Sequence, residues 1–108
     1  MGGRAATQAF FRLFLIPGMN HCTGGAGAYA IDYLNYLEHW VEQNEAPDQL
    51  IGAHVETPDA LMPYRLMFPL DPTIPVSFTR PVYPYPVRAR YVGTGDPNDA
   101  SSFAPIEP

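Results

Sequence analysis

The chain is predicted to be α/β: a strand–loop–helix–strand unit followed by a proline-rich irregular tail. Three observations carry this expectation. A continuous apolar run ends at Pro17-Gly18, a helical periodicity follows it, and 12 of the 13 prolines fall after residue 46. Strand and helix periods in alternation mark a mixed unit, not an all-β or all-α domain.

The run Phe10-Phe11-Arg12-Leu13-Phe14-Leu15-Ile16 has no helical gaps. It reads as a strand buried on both faces, as inside a parallel sheet. Pro17-Gly18 ends that ladder, and Gly24, Gly25 and Gly27 keep the next loop compact and permissive. From about Ala28 to Asn44 a helix is expected. Its stripe is Ile31, Leu34, Leu37 and Val41, with Tyr33 and Trp40 flanking and Asp32, Glu38, Glu42 and Gln43 largely outside. The helix must stop before Ala46-Pro47, because the residue preceding a proline avoids the helical region. A short strand from Gln49 to Glu56 closes the unit.

After Thr57 no regular element is expected. Pro58, Pro63, Pro69, Pro72 and Pro75 punctuate a loop longer than compact domains usually carry. Arg80-Pro81-Val82-Tyr83-Pro84-Tyr85-Pro86 reads as polyproline-like backbone with exposed aromatic faces. The stretch from Gly93 to Ala100 reads as turns. Residues 1–56 thus form the unit and residues 57–108 a tail wrapping the same domain. A parallel strand needs a neighbour on each edge, and this chain offers one. Most of the sheet is therefore expected elsewhere.

Charge excludes several partners. Six arginines, no lysine and 11 acidic residues give a net charge of -5. Nothing here neutralises phosphates, so neither nucleic acid nor an anionic membrane surface is an expected partner. No apolar stretch approaches the ~20 residues a spanning helix needs. The opening Met1-Gly2-Gly3-Arg4-Ala5 leads into a strand-like run without a cleavage-type ending, so no signal peptide is read in this chain. A single cysteine forms no internal disulfide.

His21 lies just past the first strand, on a glycine-rich loop leading to a helix. Open α/β sheets place their chemistry at the carboxyl ends of strands. An imidazole there can take a proton from a serine hydroxyl and return it to a leaving group; alternatively it only satisfies a loop carbonyl. Cys22 is a candidate nucleophile, although adjacent residues in extended chain point apart. His21, Cys22, His39 and His54 lack metal-ligand spacing, and His39 reads as a solvated helix residue. No metal or cofactor is expected.

Gly25-Ala26-Gly27-Ala28-Tyr29-Ala30 fits the dinucleotide fingerprint, with Glu56 at a strand end. Against it, Pro17 through Gly24 separate the glycines from the strand, where the fingerprint opens the turn directly. Tyr83 and Tyr85 offer either a partner-binding strip or a tail packed on its own domain. Asp96 and Asp99 have too few spaced oxygens for a calcium loop.

Phe11-Arg12-Leu13-Phe14 leading to Pro17-Gly18-Met19-Asn20-His21-Cys22 resembles the tannase/feruloyl esterase family of α/β-hydrolases. Trp40-Val41-Glu42 with Ala46-Pro47, Arg80-Pro81, Pro84-Tyr85-Pro86, Ala89-Arg90-Tyr91 and Gly95 to Ala100 are similar to its later segments. The resemblance spans nearly the whole chain, with a gap around residues 57–79. It implies the C-terminal fragment of an α/β-hydrolase fold: buried strand, catalytic-histidine loop, helix, strand and tail. It also implies a Ser-His-Asp triad in which His21 is the general base. Cys22 is then half of a disulfide to a cysteine outside this chain, beside the serine.

The implied activity is hydrolysis of phenolic esters of the feruloyl or galloyl type, in a secreted or periplasmic enzyme. The chain departs from the family pattern in several respects. No Gly-x-Ser-x-Gly occurs, and Ser77, Ser101 and Ser102 sit in the tail. In α/β-hydrolases nucleophile and acid precede the histidine, so both, with the lid and its calcium site, belong to a missing N-terminal part. Tyr83 stands where a family cysteine is expected, and none follows Phe103. The chain alone is expected to be inactive. The alternatives are a non-catalytic interaction or structural remnant, and a dinucleotide-binding βαβ unit.

Overall fold

The structure, a computed structural model, describes residues 2–21, 24–56 and 74–108. Its elements in chain order are α1 (Arg4–Gln8), α2 (Tyr33–Gln43), β1 (Leu50–Val55), β2 (Val76–Val82), β3 (Arg88–Tyr91), a 3-10 turn (Ala100–Ser102) and β4 (Phe103–Ile106). β1 pairs with β2 and β3 with β4, both antiparallel.

Residues 10–16 correct the first expectation. Phe10 lies in the turn after α1, and residues 11–16 are not a strand buried on both faces. Phe11, Leu13 and Leu15 are 58%, 47% and 55% exposed, while Phe14 and Ile16 pack on the core residues Ile31, Leu50 and Val82. Among the described residues, pairing is limited to one antiparallel bridge, Phe14 with Pro84, and one bond from the Tyr85 N–H to the Leu13 carbonyl at 2.7 Å. The physical reason is local. Pro84 and Pro86 flank Tyr85 and have no N–H to give, so a ladder cannot extend along that partner.

The helix begins later than the periodicity suggests. Asp32 caps α2 by accepting from the Asn35 N–H at 3.2 Å, and Asn44, at φ 55°, ends it in the left-handed region. Ala28–Ile31 are instead extended and form the most buried stretch of the described residues. Ala30 and Ala53 exchange both backbone bonds at 2.9 Å, which adds this stretch to β1 on the edge opposite β2. The approach is close: a Cβ on Gly52 would stand 2.3 Å from the Ala28 carbonyl oxygen. Only glycine fits there.

The buried side of α2 also differs from the expected stripe. Tyr33 and Tyr36 face the core, whereas Leu37 and Val41 are 56% and 75% exposed. Anchoring by Asp32 at the N-cap turns the tyrosine face inward, and Tyr36 secures it by accepting the Ile51 N–H at 3.0 Å. The strand expected over Gln49–Glu56 is present as β1.

Among its described residues the proline-rich half carries three strands, in place of the irregular tail expected. Arg80, Pro81 and Val82 belong to β2, with Pro81 opposite Ile51, and are not polyproline-like. Two turn caps organise the segment before β4. Asp96 accepts the Asn98 N–H, and Asp99 accepts the Ser101 N–H at 2.8 Å. Thr79 then fastens this segment to β2, donating its N–H to Asn98 and accepting the Ala100 N–H at 2.8 Å. The loop expectations for Pro58, Pro63, Pro69 and Pro72 lie outside the described residues. None of the described helices is long and apolar enough to cross a membrane.

Candidate active site

Residues 17–20 and 24–27 pair as the two limbs of a small hairpin. Met19 bridges Gly25, the Asn20 N–H donates to the Gly24 carbonyl at 3.0 Å, and the Gly27 N–H donates to Gly18 at 3.1 Å. Glycine is required at its contacts. A Cβ on Gly27 would lie 1.9 Å from the Pro17 oxygen, and one on Gly25, at φ 97°, would lie 2.2 Å from the Gly18 oxygen. His21 occupies the exposed tip, between the closing residues Asn20 and Gly24. Cys22 lies outside the described residues.

The base of the hairpin rests on β1. His54 Nδ1 is 2.9 Å from the Gly27 carbonyl oxygen. A carbonyl only accepts, so Nδ1 carries the proton and donates. The His54 ring stacks on Phe78 at 4.9 Å and 6°, and meets Tyr29 edge-on at 5.4 Å and 82°. Tyr29 is fully buried and donates its hydroxyl to the Val55 carbonyl at 2.7 Å. Burial raises the Tyr29 phenol above its ordinary value.

Beyond Phe78 the column continues. The Arg80 guanidinium lies 4.6 Å from the Phe78 ring centre and 4.5 Å from that of Phe103, between the two rings. It borders a cavity of about 450 Å³ whose wall includes Ile16, Pro17, Gly27, Val82 and Tyr83. Tyr83 is pushed up by burial as well. His21 is not part of that wall. The cavity therefore adjoins the foot of the hairpin and not its tip.

The remaining candidates are placed apart from the hairpin tip. His39 Nε2 meets Glu45 at 2.8 Å on the exposed face of α2, in keeping with a solvated helix residue. Ser77 donates its hydroxyl to Glu56 at 2.9 Å. Gly25 and Gly27, the fingerprint glycines, meet their own hairpin partners, and the Gly27 N–H already has an acceptor. A pyrophosphate has no helix N-terminus there, since α2 starts at Tyr33. Among the described residues, no three His, Cys, Asp or Glu side chains converge as metal ligands. The contact between His54 and the hairpin escaped sequence reasoning, because it joins positions 27 apart through a carbonyl that no motif marks.

The pattern of the whole chain decides its kinship: residues 1–106 match the family described as tannase and feruloyl esterase. This chain belongs to that family. It is 46% identical to the mono(2-hydroxyethyl) terephthalate hydrolase of Piscinibacter sakaiensis over 92% of its own length and 14% of the relative's. It is 36% identical to a probable feruloyl esterase of Arthroderma benhamiae, over 95% of this chain and 17% of that protein. Among solved structures it superposes on an esterase from Aspergillus oryzae with a TM-score of 0.73 and 27% identity, covering 96% of this chain and 21% of the other. The chain thus spans roughly one-seventh to one-fifth of the family members it resembles.

Proposed function

We propose that this chain supplies the catalytic histidine of a serine carboxylic ester hydrolase of the α/β-hydrolase type. The observation that carries the reading is His21 held at the exposed tip of a glycine-locked hairpin, in a chain of the tannase and feruloyl esterase family. In the proposed reaction a serine Oγ attacks the ester carbonyl while the imidazole of His21 takes its proton. When the tetrahedral intermediate collapses, His21 returns that proton to the departing alcohol. Water then repeats both steps on the acyl-enzyme, releasing the acid and the serine. Serine, triad aspartate and oxyanion donors come from polypeptide other than this chain.

The substrate class is an ester with an aromatic acyl side, of which feruloyl and galloyl esters are the phenolic examples. Two relatives support it by name, one a probable feruloyl esterase and one a hydrolase of a terephthalate monoester. In both cases an aromatic ring stands on the acid side of the scissile bond. Cys22 pairs with a cysteine beside the serine, tying the two loops in register, which limits the misplacement that lowers rate. The partner is the rest of the hydrolase domain, and the uncovered Phe11-Leu13-Leu15 face is where it packs. Family membership also supports a secreted or periplasmic enzyme.

The test is a chimera. The C-terminal stretch of the Piscinibacter hydrolase is replaced by this chain, and turnover of a feruloyl ester and of mono(2-hydroxyethyl) terephthalate is measured. The expected result is turnover by the chimera, loss on His21→Ala by about 10³-fold or more, and none by the purified 108-residue chain. Turnover by the isolated chain that His21→Ala abolishes, or a fully active H21A chimera, overturns the reading.

A further inference from the structure

We infer that His54 is a positioning residue for the hairpin that presents His21, an inference that rests on the role proposed for His21. Gly27 is the point where the hairpin joins the sheet, and it is held through both of its backbone groups. Its N–H goes to Gly18 across the hairpin, at 3.1 Å, and its carbonyl accepts from His54 Nδ1 at 2.9 Å. The first bond keeps the two limbs together. The second ties the pair to β1. Gly27 cannot be held by packing a side chain, since a Cβ would meet the Pro17 oxygen at 1.9 Å.

The imidazole suits this task because it is a rigid plane with a donor at its edge. Phe78 covers one face at 4.9 Å, and the Tyr29 ring meets it at 82°. Both supports are themselves anchored: Tyr29 through its hydroxyl to Val55, and Phe78 beneath the Arg80 guanidinium at 4.6 Å. The ring thus has little freedom about χ2, and its N–H aims at one oxygen. His21 lies six residues before Gly27, so a tilt at the base carries the tip with it. Reaction rate responds steeply to such shifts, by up to about 10²-fold per ångström. His54 does not touch the reacting atoms; it acts through the loop.

Two variants separate the donor from the ring. His54→Phe keeps an aromatic plane between Tyr29 and Phe78 and removes the donor. His54→Asn loses part of the plane and keeps an N–H near the Nδ1 position. In the 108-residue chain, amide exchange followed by NMR is expected to accelerate about tenfold at Asn20 and Gly27 in H54F, the effect of one net hydrogen bond. The Ala30 and Ala53 amides should stay protected, and H54N should return the hairpin amides toward the parent rate. In the chimera, kcat for the feruloyl ester is expected to fall about tenfold in H54F with KM unchanged, and to recover in H54N. Unchanged hairpin amides in H54F, or equal acceleration in the hairpin and β1, overturn the inference, as does unaltered kcat in the chimera. A chimera indifferent to His21→Ala instead sinks the functional reading, while the exchange result still reports whether His54 holds the hairpin.

Discussion

Arg12 Nη1 sits 2.7 Å from the carbonyl oxygen of Pro47, across 35 positions of sequence. The same nitrogen meets Asp48 at 2.8 Å, Nε donates to Gln8 at 3.0 Å, and the guanidinium lies 5.8 Å from the Trp40 ring centre. One side chain thus fastens the Phe11–Ile16 segment to both the end of α2 and the turn that follows. Asp48 is almost fully exposed, so its charge adds little; the shielded carbonyl bonds matter more. Arg12→Ala is expected to destabilise the chain by about 2 kcal/mol, and Arg12→Lys by nearly as much because lysine has no fork. Urea denaturation checks both, and a lysine variant as stable as the parent would contradict the argument.

Gly27→Ala places a methyl carbon against the Pro17 oxygen, and no rotamer relieves that clash. The hairpin must open or the base must shift. A loss of about 3 kcal/mol is expected. In NMR spectra the Asn20 and His21 resonances should move while those of β3 and β4 stay in place.

The Tyr29 phenol is raised by burial, which fixes the sign of an alkaline effect. Below about pH 10, both folded and unfolded chains keep the proton, and the full contribution is present. Above it the unfolded chain releases a proton that the folded chain retains, so stability falls as pH climbs through the folded value. Tyr29→Phe should cost about 1 kcal/mol at pH 7 through the lost bond to Val55. It should also make the alkaline limb shallower without removing it, since burial raises Tyr33 and Tyr83 too. Thermal melts from pH 7 to 11 test both slopes.

Asp32→Ala removes the side chain that accepts the Asn35 N–H. A loss of about 1 kcal/mol is expected, with fraying confined to the first turn of α2. Helical signal lost along the whole of α2 would point to a larger role than capping.

Replacing Phe11, Leu13 and Leu15 together with threonine removes an exposed apolar row while keeping strand propensity. Lower binding of a hydrophobic dye and less self-association are expected, with the melting temperature held within a few degrees. On the packing proposed for this row, the same triple change should abolish activity in the chimera. A triple variant that associates as strongly as the parent, or an active triple chimera, would show that the row covers nothing.

Local signals were legible in sequence and distant ones were not. Pro17-Gly18 marked the end of the apolar segment, Ala46-Pro47 the end of α2, and the apolar stretch after Gln49 became β1, since each depends on neighbours in sequence. The composition of Phe10–Ile16 suits a strand buried on both faces of a complete sheet. Only one face finds cover among the described residues. Val76–Val82 hid behind its prolines: Pro75 precedes the strand, and Pro81 sits opposite Ile51 without ending it. At the site, the placement of His21 on a glycine loop was visible. The support from His54 was not, because a ring nitrogen meeting a backbone oxygen leaves no trace in residue identity.

Gly52 has a consequence for anyone surveying variants. Every substitution there drives an atom into the Ala28 backbone, which cannot step aside without breaking the Ala30–Ala53 pair. On the role proposed for His21, a saturation screen scored by function would rank Gly52 beside it, though what fails at Gly52 is backbone packing. Telling the two apart takes a count of soluble, folded protein for each variant: the histidine replacements should accumulate normally, and the glycine replacements should not.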